Sequence, residues 1–227
     1  DILAGYYAKQ LGLPVNRLIC ASNQNNVLTD FFKTGYYDRI RPFFTTTSPS
    51  MDILVSSNLE RLVFPATGED ATQTAAYMHE LEKNGHYQVK PAVLEKLQAT
   101  FSADFASGDD DQQAIAKVYK NTEFAIDPHT AIAKAVADKY RQATDDNHPM
   151  VIVSTASPYK FPNAVLSAIE GHQVEVDGLD AVKQLQDHIN VPLPKAIETL
   201  FHAEVRHNTT VQPDEMQAAI TKILKID

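Results

Sequence analysis

Residues 150–155, MVIVST, are a continuous run rich in β-branched side chains that follows a polar loop. Such a run suits a strand covered on both faces, the pattern of a parallel sheet, and a helix is predicted after it over about 161–169. A second apolar run, RLICAS at 17–22, lies between two predicted helices. The first carries Ile2, Leu3, Tyr6, Tyr7 and Leu11 on one side and stops at Gly12 to Pro14; the second spans about 27–33 and ends at Gly35. Helix, strand, polar turn and helix in that order predict an α/β architecture with a parallel-type sheet flanked by helices. Ligands in such sheets sit beyond the carboxyl ends of strands. Asn23, Gln24, Asn25 and Asn26 follow the run at 17–22, and Thr155 ends the run at 150–155. The asparagines admit two readings, lining a site or forming a turn with N-cap duty.

The 227 residues, 44% of them apolar, suffice for one sizeable core or one large domain with an elaboration. No apolar run approaches the ~20 residues of a membrane helix. A formal charge of -9 argues against a nucleic-acid surface, which needs clustered Lys and Arg, and leaves a small molecule as the expected partner. The single cysteine, Cys20, excludes an intrachain disulfide and fits a reducing cytoplasm. The span 65–125 reads as a helical elaboration, with amphipathic helices over 71–83, 90–105 and 110–120 broken by turn residues. Its Asp109, Asp110 and Asp111 lack the spaced ligands and glycine of a calcium loop, so no metal site is expected there. Farther on, Asp127 and Pro128 form an N-cap and first helical position, which puts His129 in a first turn, where the positive helix end favours a neutral imidazole. That ring is placed to bond a ligand or a neighbouring loop. The tail, with helices near 195–201 and 213–226, reads as packing, and His202 and His207 as surface residues.

The stretch 45–62, TTTSPSMDILVSSNLERL, combines two signals. Ser48 and Pro49 read as an N-cap and first position, so a helix is expected to start there, with Met51, Val55, Leu59 and Leu62 toward a core. Ser56, Ser57 and Asn58 are weak helix formers in a row, which is unexpected inside a continuous helix. A capped helix with a polar outer face explains the pattern. So does an anion site, since small polar groups beside a helix N-terminus, with Arg61 one turn on, suit a negatively charged ligand.

SPSMDILVSSNLER at 48–61 resembles the signature of threonine synthases of the bacterial and fungal type. ASNQNNVLTDF at 21–31, DPHTA at 127–131 and TASPYKF at 155–161 resemble further motifs of that family, in the expected order. The resemblance implies part of the large domain of a tryptophan-synthase-β-like, fold type II enzyme that uses pyridoxal 5'-phosphate. The opening helix is similar to the one that follows the family's glycine-rich phosphate loop, so residues 1–227 are expected to be the C-terminal part of a longer protein. The lysine that forms the Schiff base would lie upstream, and no lysine here matches its context. The implied reaction converts O-phospho-L-homoserine and water to L-threonine and phosphate, with the fragment alone inactive. By the same resemblance Thr155 faces the pyridine nitrogen of the cofactor, and Ser48, Ser50, Asp52, Ser56, Ser57, Asn58, Arg61 and His129 are the candidates for binding substrate. Two positions depart from the family pattern: Ser157 stands in place of histidine and Tyr159 in place of alanine. They leave room for another lyase or β-replacement enzyme of the same fold, and a ligand-binding relative without catalysis is the alternative from a different class.

Overall fold

Strand β1, Leu18–Ser22, pairs in parallel with β4, Phe101–Phe105, in the register Leu18 with Phe101 through Ser22 with Phe105. A computed structural model describes residues 2–176 and 178–226 of the chain. Side chains alternate across this two-stranded sheet, as the period of two requires. Leu18, Cys20, Phe101 and Ala103 join one core with Val27, Phe31 and Phe32 of helix α2, Val27–Thr34, whereas Ile19 and Ala21 join Ala106, Ile132 and Val136 on the other face. Helix α7, Pro128–Thr144, covers that second face. Both faces of the parallel pair are therefore covered by helices, and the α/β expectation holds.

The first helix, α1, spans Ile2–Gln10. The antiparallel strands β2, Tyr36–Asp38, and β3, His86–Gln88, make a second sheet in which the rings of Tyr37 and Tyr87 stack at 5.4 Å. Gly35 turns the chain from α2 into β2 with φ +73, and a Cβ there would meet Gln88 Nε2 at 2.8 Å and Val89 Cγ2 at 2.9 Å. Both the left-handed backbone and the close approach call for glycine. Helices α3, Glu60–Ala66, α4, Ala71–Asn84, and α5, Pro91–Thr100, close this core. Helices α6, Asp110–Thr122, α8, Pro162–Glu170, and α9, Gly178–His188, pack in sequence beyond α7 and bury Ile115, Val165, Leu166 and Leu185.

Three local expectations change. The helix expected over 90–105 stops at Thr100, and Phe101–Phe105 becomes β4, because alternating Phe101 and Ala103 fit the face beside β1 and tertiary pairing overrides local propensity. The span 65–125 thus contributes two strands as well as helices. The helix expected to begin at Ser48 is a three-residue 3-10 turn, Pro49–Met51, and α3 begins only at Glu60. Ser56, Ser57 and Asn58 lie between them, which accounts for three weak helix formers in a row. Leu59 and Leu62 reach the core, while Val55 stays exposed. Residues 150–155 are not part of a strand, with Val151 86% and Val153 59% exposed. A strand is defined by its partner, and among the described residues no segment pairs with this one.

The chain divides into two compact units, Asp1–Val191 and Pro192–Asp227. The second unit holds α10, Lys195–Leu200, and α11, Met216–Leu224. A reciprocal capping box between Gln212 and Glu215 precedes α11. None of its described residues is buried, so the expected packing role is not visible in it, and His202 and His207 are exposed as expected.

Candidate functional site

A cleft of about 310 Å³ opens at the carboxyl ends of β1 and β4. Asn23, Thr46, Thr47, Ser48, Ala106 and Asp111 help to line it. It lies where an open parallel sheet leaves loops free to meet a ligand. Asn23 follows the last residue of β1, and its buried side-chain amide reaches Asp52 Oδ1 at 2.7 Å, Ser48 Oγ at 2.9 Å and Thr46 Oγ1 at 2.9 Å. Asp52 also accepts from the Asn25 amide at 3.0 Å, the Thr46 hydroxyl at 2.7 Å and the Thr46 backbone N–H at 2.9 Å. Thr47 donates to Asp111, a buried carboxylate in the first turn of α6. Ser48 is fully buried and makes no cap bond, because its hydroxyl is used by Asn23 and Thr46.

The turn at Pro49–Met51 is held from a second side. Asp127 caps α7, accepting from the backbone N–H groups of His129 at 2.9 Å and Thr130 at 3.4 Å. The same carboxylate lies 2.9 Å from His129 Nδ1 and accepts from the Thr130 hydroxyl. The Ser50 backbone N–H donates to His129 Nε2 at 3.2 Å. In this geometry Nε2 accepts from the Ser50 N–H and Nδ1 donates to Asp127. Burial raises the Asp127 carboxyl, but the bonds from the His129 ring, the Thr130 hydroxyl and the His129 backbone outweigh it and hold the group below the usual carboxylate range. His129 therefore does serve a neighbouring loop, and that loop is the one expected to meet substrate.

The His129 ring also lies against Phe161, with centroids 4.8 Å apart. The Thr130 and Ser154 hydroxyls are 3.1 Å apart, which ties the start of α7 to the chain beside Thr155. Thr155 itself is exposed, and its hydroxyl has no hydrogen-bond partner among the described residues. The two positions after it that depart from the family pattern have local roles. Ser157 accepts from the Tyr159 backbone N–H at 3.3 Å, and the buried Tyr159 donates to the Val191 carbonyl at 2.6 Å.

Of the residues read from the sequence, Ser48, the Ser50 backbone, Asp52 and His129 come together in one bonded cluster. Ser56 is joined to the fold separately, its N–H donating to the Tyr37 hydroxyl at 2.8 Å, which in turn donates to the Leu54 carbonyl at 3.1 Å. Burial pushes the Tyr37 phenol up, against the opposing effects of the Ser56 N–H and Arg41, so this hydroxyl stays protonated at neutral pH. Ser57, Asn58 and Arg61 are exposed at the entry to α3, and no side-chain bond of Arg61 occurs among the described residues. Asn23 and Asn25 were read in the sequence as lining a site or forming a turn, whereas Thr46, Tyr37, Thr130 and Asp111 were not singled out as site residues. The TTT run before Ser48 was the signal available for Thr46.

The fold is that of an α/β protein with a polar-lined cleft at the carboxyl ends of parallel strands. Residues 130–221 match the family model described as threonine synthase, C-terminal. The threonine synthase of Pseudomonas aeruginosa is 38% identical over 216 residues, covering 95% of this chain and 41% of the relative. Human threonine synthase-like 1 is 45% identical over 171 residues, covering 75% of this chain and 23% of the relative. Among solved structures, yeast threonine synthase superposes with a TM-score of 0.81 at 30% identity, over 99% of this chain and 45% of that one. The threonine synthase of Brucella melitensis, solved with pyridoxal phosphate bound, gives 0.70 at 34% identity, over 84% of this chain and 44% of that one. Over most of its own length the chain is similar to threonine synthases. It spans less than half the length of these relatives.

Proposed function

We propose that the chain is the C-terminal part of a fold type II threonine synthase, a carbon-oxygen lyase of the cytoplasm. Its parent converts O-phospho-L-homoserine and water to L-threonine and phosphate with pyridoxal 5'-phosphate. The observation that carries this reading is the meeting of Ser50 with His129, residues 79 apart in sequence, from two separate family motifs at one polar cluster.

The residues present fit the cofactor at one point. Thr155 offers an exposed hydroxyl with no partner among the described residues, a neutral donor suited to a pyridine nitrogen. When bound, the cofactor supplies an electron sink for the carbon next to the substrate's amino group. This chain's own residues bind and orient. The serines at 50, 56 and 57, with Asn58, present short donors along one loop, which the buried Ser48 holds from within through Asn23 and Thr46, and the exposed guanidinium of Arg61 is suited to a bidentate grip on phosphate. Asp52 and His129 hold that loop in shape. The lysine that bonds the cofactor comes from the part of the parent that precedes this chain.

The test is phosphate release from O-phosphohomoserine by the full-length parent protein loaded with pyridoxal phosphate, with the amino-acid product identified. Equal amounts of threonine and phosphate support the reading. A protein that binds the cofactor and releases no phosphate overturns it in favour of a lyase with a different substrate. In the active parent, Arg61→Ala raises KM for the phosphorylated substrate about tenfold or more, the effect of losing one charge-assisted phosphate contact. An unchanged KM removes Arg61 from that role. Thr155→Val alters the cofactor's absorbance and lowers kcat, since the ring nitrogen loses its donor; normal absorbance and turnover would show the contact to be misassigned.

A further inference from the structure

We propose that Asn23 is a positioning residue for the loop 44–52, and that its orientation sets the shape of the Ser48 to Ser50 turn on which the substrate phosphate rests. This builds on the functional reading above. The loop between Asp38 and Glu60 contains no strand and only one 3-10 turn, so no backbone ladder fixes its path. Long irregular segments in compact domains are uncommon and tend to be functional. Here side-chain amides take the place of a ladder.

Asn23 Nδ2 has four acceptors within reach, the three named above and the Ser48 carbonyl at 3.4 Å, but only two protons to give. The Asp52 carboxylate, closest and charged, takes one. The Thr46 and Ser48 hydroxyls, 3.1 Å apart, compete for the other. At its opposite end Asn23 Oδ1 accepts from the Asn25 backbone N–H at 2.9 Å, an Asx-type turn. Both ends of the amide are thereby specified. A flipped amide would set an oxygen against the Asp52 carboxylate and an NH₂ group against an N–H donor.

Asn25 completes the arrangement. Its amide donates to the Phe44 carbonyl at 2.8 Å, and its Oδ1 accepts from the Phe44 N–H at 2.9 Å, an imitation of strand pairing by one side chain. Both asparagines are buried. The carboxyl end of β1 is thus stapled to the loop at Phe44, Thr46, Ser48 and Asp52, while His129 holds Ser50 from the side of α7. Asn23 does not transfer a proton or contact a reacting atom in this scheme; it acts through the turn.

The informative variant is Asn23→Asp in the full-length parent with its cofactor. It keeps the shape of the side chain and the acceptor for Asn25, and replaces the donor by a second carboxylate oxygen facing Asp52. The charged groups near this position are Asp52 on the loop and Asp111 of α6, reached through Thr47; among the described residues no cation is bonded to either. KM for O-phosphohomoserine should rise at least tenfold with a smaller change in kcat, and the defect should lessen as pH falls and the new pair shares a proton. Adding Asp52→Asn should recover part of the loss by restoring a donor and acceptor pair, incompletely because Asn25 and Thr46 also donate to that carboxylate. Amide hydrogen exchange at residues 44–52 should quicken in the single variant and slow again in the double. Asn23→Ala, which adds no charge, should raise KM without the pH-dependent recovery, and provides the comparison if the Asn23→Asp protein folds poorly. Wild-type KM and pH profile, or wild-type exchange across the loop, in Asn23→Asp with normal cofactor absorbance would overturn the proposal. A wild-type parent that releases no phosphate would instead overturn the functional reading beneath it.

Discussion

Phe31→Ala in the parent protein is expected to lower the unfolding free energy by about 3–5 kcal/mol, measured by urea denaturation. Phe31 is fully buried, and its ring lies 5.7 Å from Phe32, 5.9 Å from Tyr37 and 5.8 Å from Tyr87. Alanine there leaves a cavity at the point where α2 meets the β2 and β3 sheet, and a close-packed aromatic group relaxes into such a space only partly. The damage also extends toward the site. Tyr37 stacks on Tyr87 and fixes the Leu54 to Ser56 backbone through its hydroxyl, so a loosened Tyr37 releases the segment that leads to Asn58 and Arg61. Phe31→Leu, which keeps most of the volume, should cost less than half as much and leave KM near the wild-type value. Equal losses for the two variants would show that the cluster is not packed as described.

Asp127→Ala has the second large effect, about 3 kcal/mol. Losing an N-cap costs about 0.5–2 kcal/mol. Leaving the His129 Nδ1–H and the Thr130 hydroxyl buried without an acceptor adds about 1–3 kcal/mol. KM should rise as well, because His129 is then free to turn from Ser50. The pH dependence separates cap from charge. The Asp127 carboxyl is lower in the folded chain than in the unfolded one, so its contribution is complete above the unfolded value, about 4, and is lost as pH falls through the lower folded value. The stability gap between wild type and variant should therefore narrow in acid. Asp127→Asn keeps a good cap and costs only about 1 kcal/mol, but removes this titration. A gap that stayed constant into strong acid would assign the effect to the cap alone.

Much of the fold was legible because apolar periodicity and caps are local. Gly35, Asp127 with Pro128, and the apolar run of β1 each mark an element within a residue or two of where it lies. Partnership was not legible. Phe101–Phe105 was hidden in a helical reading because what makes it a strand is β1, some eighty residues away in sequence, while residues 150–155 have strand composition without strand pairing. The site followed the same division. The motifs named Ser48, Asp52 and His129, but not that His129 accepts from the Ser50 backbone N–H, nor that Ser48 faces inward to Asn23. Those facts depend on which loops the sheet brings together. Ser157 and Tyr159, which in sequence raised a question about specificity, are used for a turn cap and a buried tie to Val191.

Cys20 gives the sheet a use of another kind. It is the chain's single cysteine, it sits buried in the middle of β1, and burial pushes its thiol up to about 12. Only a thiolate reacts with an alkylating reagent at an appreciable rate, so the folded chain is inert there on two counts, access and ionisation. Any alkylation must pass through a state in which β1 has left α2. Its rate under gentle conditions would therefore time the opening of the strand that carries Asn23, with no label added to the molecule.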